Sequence, residues 1–552
     1  MKRHIFYIVL CLCSAMAMAQ ETYESAQLAT EDLNGTARYI GMGGAMEALG
    51  ADISTMGTNP AGIGLFRRSW IGISGGATMQ SGQGNSNTMT GMSTSNGKSN
   101  ADMNQAGFIY SNQFSYNSHF NLGFNYHKSR NFNQIISAAN SLDGNSSSNK
   151  LSWMRRANYN DFNPTAAYPR IINSAGITLQ DYYNLRSIND PIYDRYSDKE
   201  IYYLNSNAYN AQRDNTGYIS EFDFNFSANF NDRVYIGLTF GLKDVNYKSE
   251  YNYKETLLDG AYGSPVGNYS FYENRKISGT GFDLKFGAII RPSEYSPFRF
   301  GLYMHTPTWY DLTCESSFRT SAQAEMNGVT LDGPMRKYNP SDVSSSFRYD
   351  YRIVTPWKFG ASVGHTFGKM VAIGATYEYA DYSAIKNRIK SGRIINSYNT
   401  YSEDVQMNNH TDKTLKGVSL VKIGIEVKPS QVIALRAGYN YQSAIYKEDG
   451  KKSTYMNADF FYSGGRRGYY NSTQDYVNWK DTHRITFGMG FTFDKNWALD
   501  LSYQYALQNG DYHPFSSMTL NSGDVEDREC YDNPTTVKNK RHMINATLGY
   551  RF

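Results

Sequence analysis

The chain has 552 residues, 15% of them aromatic with 47 tyrosines, a formal net charge of +4 and a mean hydropathy of −0.57. Low hydropathy, with no long apolar run beyond the N-terminus, excludes helical membrane spans. Near-balanced charge without a basic stripe gives no reason to expect nucleic acid as a partner. A membrane β-barrel stays open, because its lipid-facing and lumen-facing residues alternate and their hydropathies average out.

Lys2, Arg3 and His4 precede a short apolar run, Ile5 to Cys13, and Ala17-Met18-Ala19 precedes Gln20. This order predicts a secretory signal peptide over residues 1–19. The run is too short for an anchor, since a spanning helix needs about 20 apolar residues. Cys11 and Cys13 leave with the signal and do not fit a lipoprotein site. Cys314 and Cys530 remain, enough for one disulfide and no framework. Without a CxxC or a Cys/His cluster, neither a metal nor a cofactor is expected.

Residues 20–68 lack strand alternation and are rich in small residues, including Gly41, Gly43, Gly44, Ala61 and Gly62. Such a segment packs as short helices and turns, with Asn59-Pro60 marking a turn. Gly41-Met42-Gly43-Gly44 is not a phosphate loop, because no strand precedes it and no Gly-Lys-Ser/Thr follows.

From residue 69 onward, period-two alternation dominates. Ile485, Phe487, Met489, Phe491 and Phe493 share one face, with Thr486, Gly488, Gly490 and Thr492 on the other. Similar runs give about fourteen strands, starting near residues 69, 105, 118, 216, 233, 275, 297, 344, 369, 415, 431, 480, 497 and 538. Tight turns near 116, 232, 293, 368, 429 and 495 alternate with long polar connections, the largest being 131–215. Short periplasmic turns and long extracellular loops are the outer-membrane arrangement. The expectation is therefore an all-β transmembrane antiparallel barrel over residues 69–552, with both termini periplasmic. A lumen of this size is too wide for wall side chains to close, so residues 20–68 are expected to plug it as a hatch. Inward charges such as Asp283, Lys285, Arg299, Lys358, Glu378, Lys422, Glu426, Arg436, Arg484, Asp500 and Arg551 either hold the hatch or line water. The last strand ends at Tyr550 and Phe552, an aromatic terminus of the kind the barrel assembly machinery reads. Lipid and lipopolysaccharide are the expected surroundings.

Ala37 to Ala45 and Thr58-Asn59-Pro60-Ala61-Gly62 resemble the hatch of the FadL family of outer-membrane transporters for long-chain fatty acids and other hydrophobic compounds. Its signature is a glycine-rich start followed by Asn59, Pro60 and Ala61. Gly279 to Phe282, Arg291-Pro292, His305 to Tyr310 and Leu435 to Tyr441 are similar to later strands of the family. The resemblance implies a fourteen-stranded plugged barrel for passive uptake of a hydrophobic small molecule. In that scheme the substrate is captured by loops and leaves sideways through a gap at a kinked third strand. Leaving sideways avoids re-exposing apolar surface, penalised at about 25 cal/mol per Å². The third strand itself, with Phe120, Leu122, Phe124 and Tyr126, carries no proline and only Gly123 as a break signal. Trp153, Met154, Tyr182 and Tyr183 in the long loop are candidates for capture, or for that loop's own small core. Alternatives from the same resemblance are a docking or shuttle barrel in protein secretion, and a haemin or aromatic-hydrocarbon receptor. Catalysis is not expected, because His305 and His365 have no serine motif beside them. An open porin is disfavoured by the hatch.

Overall fold

In the computed structural model the described residues are 22–81, 92, 97–142, 205–258, 264–326, 329–332, 347–395, 398–452, 459–461, 467–469, 473–494, 496–516, 518–522, 525–530 and 532–552. Fourteen antiparallel strands form a closed barrel. They are β1 Trp70–Ser81, β2 Lys98–Ser115, β3 Ser118–Asn131 with Gln134–Ser141, β4 Asn205–Phe230, β5 Val234–Leu258, β6 Pro265–Ile290 and β7 Arg299–His305 with Trp309–Met326. The second half is β8 Phe347–Val354 with Lys358–Phe367, β9 Val371–Asp381 with Lys386–Ile395, β10 Gly417–Val427, β11 Ile433–Gln442, β12 Tyr476–Phe493, β13 Trp497–His513 and β14 Thr535–Arg551. Pairing of β1 with β14, from Trp70↔Arg551 to Ser81↔Lys540, closes the ring. Within the lipid belt, closure leaves no edge strand to template aggregation among the described residues.

The apolar alternation faces outward. Phe224, Phe226, Ile236, Leu238, Phe286, Leu302, Phe359, Ile423, Phe487 and Leu548 are all exposed large hydrophobics on the outer wall. Such a belt is stable only against lipid, and the fold is that of an outer-membrane β-barrel. The tight turns use left-handed residues: Asn117, Asn231, Asp232 and Asp494 have φ between 52° and 56°, and Gly368 has φ 60°. Asn, Asp and Gly tolerate that conformation, which suits a hairpin to the twist of its strands. At the rim the Phe552 amide donates to the Ser69 carbonyl at 3.1 Å, and Tyr550 lies against Trp497 at 4.7 Å between ring centroids.

The strands run further up than the alternation suggests. β4, β5 and β6 have 26, 25 and 26 residues, whereas about 9–11 residues cross a membrane. Above the lipid belt the outer face turns polar, as at Asp244, Lys248 and Glu250 of β5. Backbone pairing continues there with no apolar period to reveal it. The expected loop 131–215 accordingly loses residues to β3 and β4 at its two ends. The long connection between β9 and β10 contains a helix, Val405–Thr414. Trp153, Met154, Tyr182 and Tyr183 lie outside the described residues.

The N-terminal segment fills the lumen from the turn side upward. It contains α1 Thr22–Ala29, α2 Ala37–Gly41 and two 3₁₀ turns, Ile53–Gly57 and Pro60–Leu65. The expectation that both termini lie on the periplasmic side does not extend to the first described residues of this segment, which lie on the long-loop side. From β1 the segment climbs inside the barrel, and the Thr22 hydroxyl reaches His410 Nδ1 at 2.7 Å and Thr411 at 3.1 Å on α3, the Val405–Thr414 helix of the long-loop side. Tyr23, Ala26, Leu28 and Ala29 share one buried cluster with Ile277, Leu312, Ile353 and Tyr446 of the wall and cap. Burial of that face holds α1 high, and strand counting carries no information about it.

Candidate functional site

The lower half of the lumen is a seat. Asn59 caps the second 3₁₀ turn by accepting from the Ala61 amide at 3.2 Å, and its own amide donates to the Glu47 carbonyl at 3.0 Å. Pro60 follows at the first helical position, where its missing N–H costs nothing. The Pro60 carbonyl accepts from Ser227 of β4 at 2.9 Å. Asn-Pro-Ala thus ties the turn to itself, to the rest of the plug and to the wall.

Inward wall glycines complete the seat. A Cβ on Gly237 would meet the Pro60 and Ala61 backbone, one on Gly287 would meet Asn59, and one on Gly374 would meet the Ala45 carbonyl. Gly424 and Gly438 stand in the same way against Met42 and Gly43, and a Cβ on Gly41 would lie 2.9 Å from the Gly488 Cα. Gly43 and Gly44 also have φ of 63° and 80°, the region that favours glycine. Sequence reading singled out the plug's glycines but missed their wall partners. The available signal was glycine at inward strand positions three to five residues from the turn end of a strand.

Ion pairs decide most of the question left open for the inward charges. Glu47 is fully buried and pairs with Lys422 at 2.6 Å, while Arg38 pairs with Glu426 at 3.1 Å. Glu31 bridges Lys243 at 2.9 Å and Lys358 at 2.7 Å. Burial alone would raise the Glu31 carboxyl, but the two ammonium groups outweigh it and hold it well below the usual range. Arg299 donates to the Leu49 carbonyl at 3.1 Å. Other wall charges satisfy each other, as Arg436 does with Glu426 and Asp500, and Lys285 with Glu221, Asp223 and Asp283. Glu378 accepts from the Tyr303 hydroxyl at 2.8 Å, and Arg551 lies exposed at the rim. His127 gathers with Glu221 and Asp223 in a spacing that a cation could use. Lys285 already occupies both carboxylates, so the group reads as a charge network. Cys314 is a free, buried thiol.

Above the seat lies a cavity of about 190 Å³ between α1, the wall and the cap. Tyr23, Tyr446, Tyr476, Trp479, Phe132 and Ile136 give it aromatic and apolar walls, and Arg130, Arg484 and Arg541 give it positive charge. Asp32 of the plug pairs with Arg130 at 2.9 Å and accepts from the Asn131 amide at 2.9 Å. The cavity therefore spans the junction between the lower and upper segments of β3.

There the wall changes. β3 pairs with β2 only as far as Gln105↔His127. It continues on β4 with a register shift between Lys128 and Arg130, leaves the ladder at Phe132–Asn133, and resumes in the same register as Gln134–Ser141, paired among the described residues only to β4. Its free edge turns inward: Gln80 of β1 donates to the Ile135 carbonyl at 2.5 Å and accepts from the Ile135 amide at 2.8 Å. The upper part of β2, residues 98–104, keeps β1 and has no strand on its other side among the described residues. The break thus lies in the third strand, where the family resemblance implied a kink and residue reading found only Gly123. Among the described residues, ion pairs cross the resulting gap, Lys98 with Asp214 and Lys128 with Asp102 at 2.7 Å. The break escaped the sequence because no proline or glycine marks it. Side-chain hydrogen bonds from Gln80, far away in sequence, replace the lost ladder.

No family model matches this sequence, and no curated protein matches it. Among solved structures it is similar to a FadL homologue of Pseudomonas aeruginosa, at 11% identity over 97% of this chain and 100% of that one, with a TM-score of 0.46. The P. putida toluene transporter TodX matches at 12% identity over 94% and 99% of the two chains, with a TM-score of 0.44. A third neighbour is the monoaromatic hydrocarbon channel CymD, at 10% identity over 95% and 99%, with a TM-score of 0.44. These three neighbours are each matched along nearly their whole length.

Proposed function

We propose that the chain is exported through a cleaved signal peptide and acts in the outer membrane as a passive channel for hydrophobic small molecules such as long-chain fatty acids. The substrate enters through the cap, rests in the cavity above the seated hatch, and leaves sideways into lipid beside β3. The observation that carries this reading is the parting of β3 from β2 above Gln105↔His127, at the level of the cavity. A closed wall would force an apolar solute to cross the hatch and re-enter water. The chain carries out no covalent chemistry in this scheme.

The test is uptake of a radiolabelled long-chain fatty acid by cells whose own outer-membrane uptake channel has been deleted. Deleting Ser129, the extra residue at the register shift between Lys128 and Arg130, to straighten β3, is expected to abolish uptake while the barrel keeps its heat-modifiable mobility. Unchanged uptake through the straightened strand would sink the lateral route.

A further inference from the structure

The cavity's chemistry is more specific than its apolar walls suggest. Arg484 of β12 is in register with Ala506 of β13, and Ala506 with Arg541 of β14. The two guanidinium groups therefore stand at one height on neighbouring strands, with the small Ala506 between them. One step below are Thr486, Gln504 and Met543, and one step above are Thr482, Gln508 and Asn539. Arg484 donates to Asn440 Oδ1 at 2.9 Å and to Gln442 Oε1 at 3.3 Å. Arg541 donates to the Asn131 carbonyl at 3.5 Å. Among the described residues neither has a carboxylate within 4.0 Å, and Asp32, the acid within electrostatic reach, is engaged by Arg130. Three guanidinium groups face one carboxylate, an excess of two positive charges.

The amides beside them are also unfinished. Gln504 and Asn539 are each 8% exposed, and Gln504 Oε1 and Asn539 Oδ1 are buried without a hydrogen-bond partner, as is Arg130 Nε. In the seat below, Glu47, Glu31, Arg38 and Lys285 each have a partner of opposite charge. A buried orphan acceptor typically costs about 1–3 kcal/mol, so a region that keeps two next to unmatched arginines has the character of a binding site.

We propose that this face of β12–β14 is a head-group site for an amphiphile bearing a phosphate dianion and hydroxyl donors. The proposal rests on the uptake reading above and narrows its substrate class. A neutral hydrocarbon leaves both arginines unanswered, and a carboxylate brings a single charge. A phosphate monoester carries roughly −1.5 to −2 at neutral pH and three acceptor oxygens. It can span two guanidinium forks, while adjacent hydroxyls donate to Gln504 and Asn539. The tail then lies along Phe132 and Ile136, toward the gap beside β3.

Titration calorimetry on the refolded full-length barrel, with tail-matched ligands, tests this. The ligands are dodecanol, dodecanoate, monododecyl phosphate and 1-dodecanoyl-glycerol 3-phosphate. Affinity is expected to rise in that order, at least tenfold from carboxylate to phosphate and a further few-fold with the glycerol hydroxyl. Arg484→Gln and Arg541→Gln should each erase most of the phosphate-over-carboxylate ratio, and Arg484→Lys should restore part of it. Gln504→Leu should remove the hydroxyl increment. Heat-modifiable mobility confirms that each variant folds. Equal affinity for all four ligands would overturn the head-group site and leave the uptake reading standing. Absence of saturable binding by any of them would overturn both.

Discussion

The lower and upper halves of the lumen are built from similar residues and follow opposite rules. In the seat, charge meets charge: Glu47 with Lys422, Arg38 with Glu426, Glu31 with Lys243 and Lys358. Backbone lies on backbone at the wall glycines. In the cavity above, Arg484 and Arg541 answer only neutral oxygens, and the Gln504 and Asn539 carbonyls answer nothing described. Removing one partner of a buried pair costs several kcal/mol, so a matched region resists change. An unmatched region keeps its interactions for a molecule that arrives. Fixed plug and receptive cavity thus differ in satisfaction more than in composition.

The largest effect should come from breaking the seat's fit. Gly374→Leu places a side chain where the Ala45 carbonyl lies, and overpacking of this kind costs about 1–3 kcal/mol or more. The plug should unseat, and planar-bilayer recordings should change from a closed channel to frequent large conductances. A closed record would mean that the plug does not depend on close approach.

Glu47→Gln strands the buried Lys422 ammonium. A loss of about 3–5 kcal/mol is expected, read as a lower urea midpoint for the barrel with its plug. The double variant Glu47→Gln with Lys422→Met should recover much of it. If it does not, the pair is not what holds this part of the seat.

Asp404 extends the comparison to the cap. It starts α3, accepting from the Met407 amide at 2.9 Å, but its Oδ2 is buried without a partner. Burial pushes its carboxyl up to about 6 from an ordinary 3.8. The folded form therefore binds the extra proton between these values, and stability from this group is lost as pH rises from about 4 through 6. Amide exchange over Met407–Thr411 should be slower at pH 5 than at pH 7.5, after correction for intrinsic rates, by about 1–2 kcal/mol in opening free energy. Asp404→Asn should flatten the difference, since Asn caps a helix equally well. A wild-type profile as flat as the variant's would remove Asp404 from the account.

The smallest effect should be Asn59→Ala. The lost cap costs about 1 kcal/mol, in a turn that Pro60 and the wall still hold. It should appear as occasional brief openings in the bilayer record. Permanently open channels would place far more of the plug's stability in this one residue than its hydrogen bonds explain.

The amino-acid sequence by itself determined the barrel: period-two apolar runs, alternating short and long connections and an even strand count fix strands, orientation and lipid face together. Those signals are local, because a strand needs only its own alternation and a turn only its own Asn, Asp or Gly. The plug's glycines and Asn59-Pro60-Ala61 were legible for the same reason. Tertiary structure decided the rest. Whether Lys422 holds the plug or lines water depends on Glu47, 375 positions away. The parting of β3 rests on Gln80 hydrogen-bonding to Ile135 in place of a lost ladder. The cavity's unmatched arginines exist only because three strands are in register at Ala506. Long-range pairing leaves no period in the chain, since each contact depends on a partner whose distance along the sequence is set by the whole circumference of the barrel.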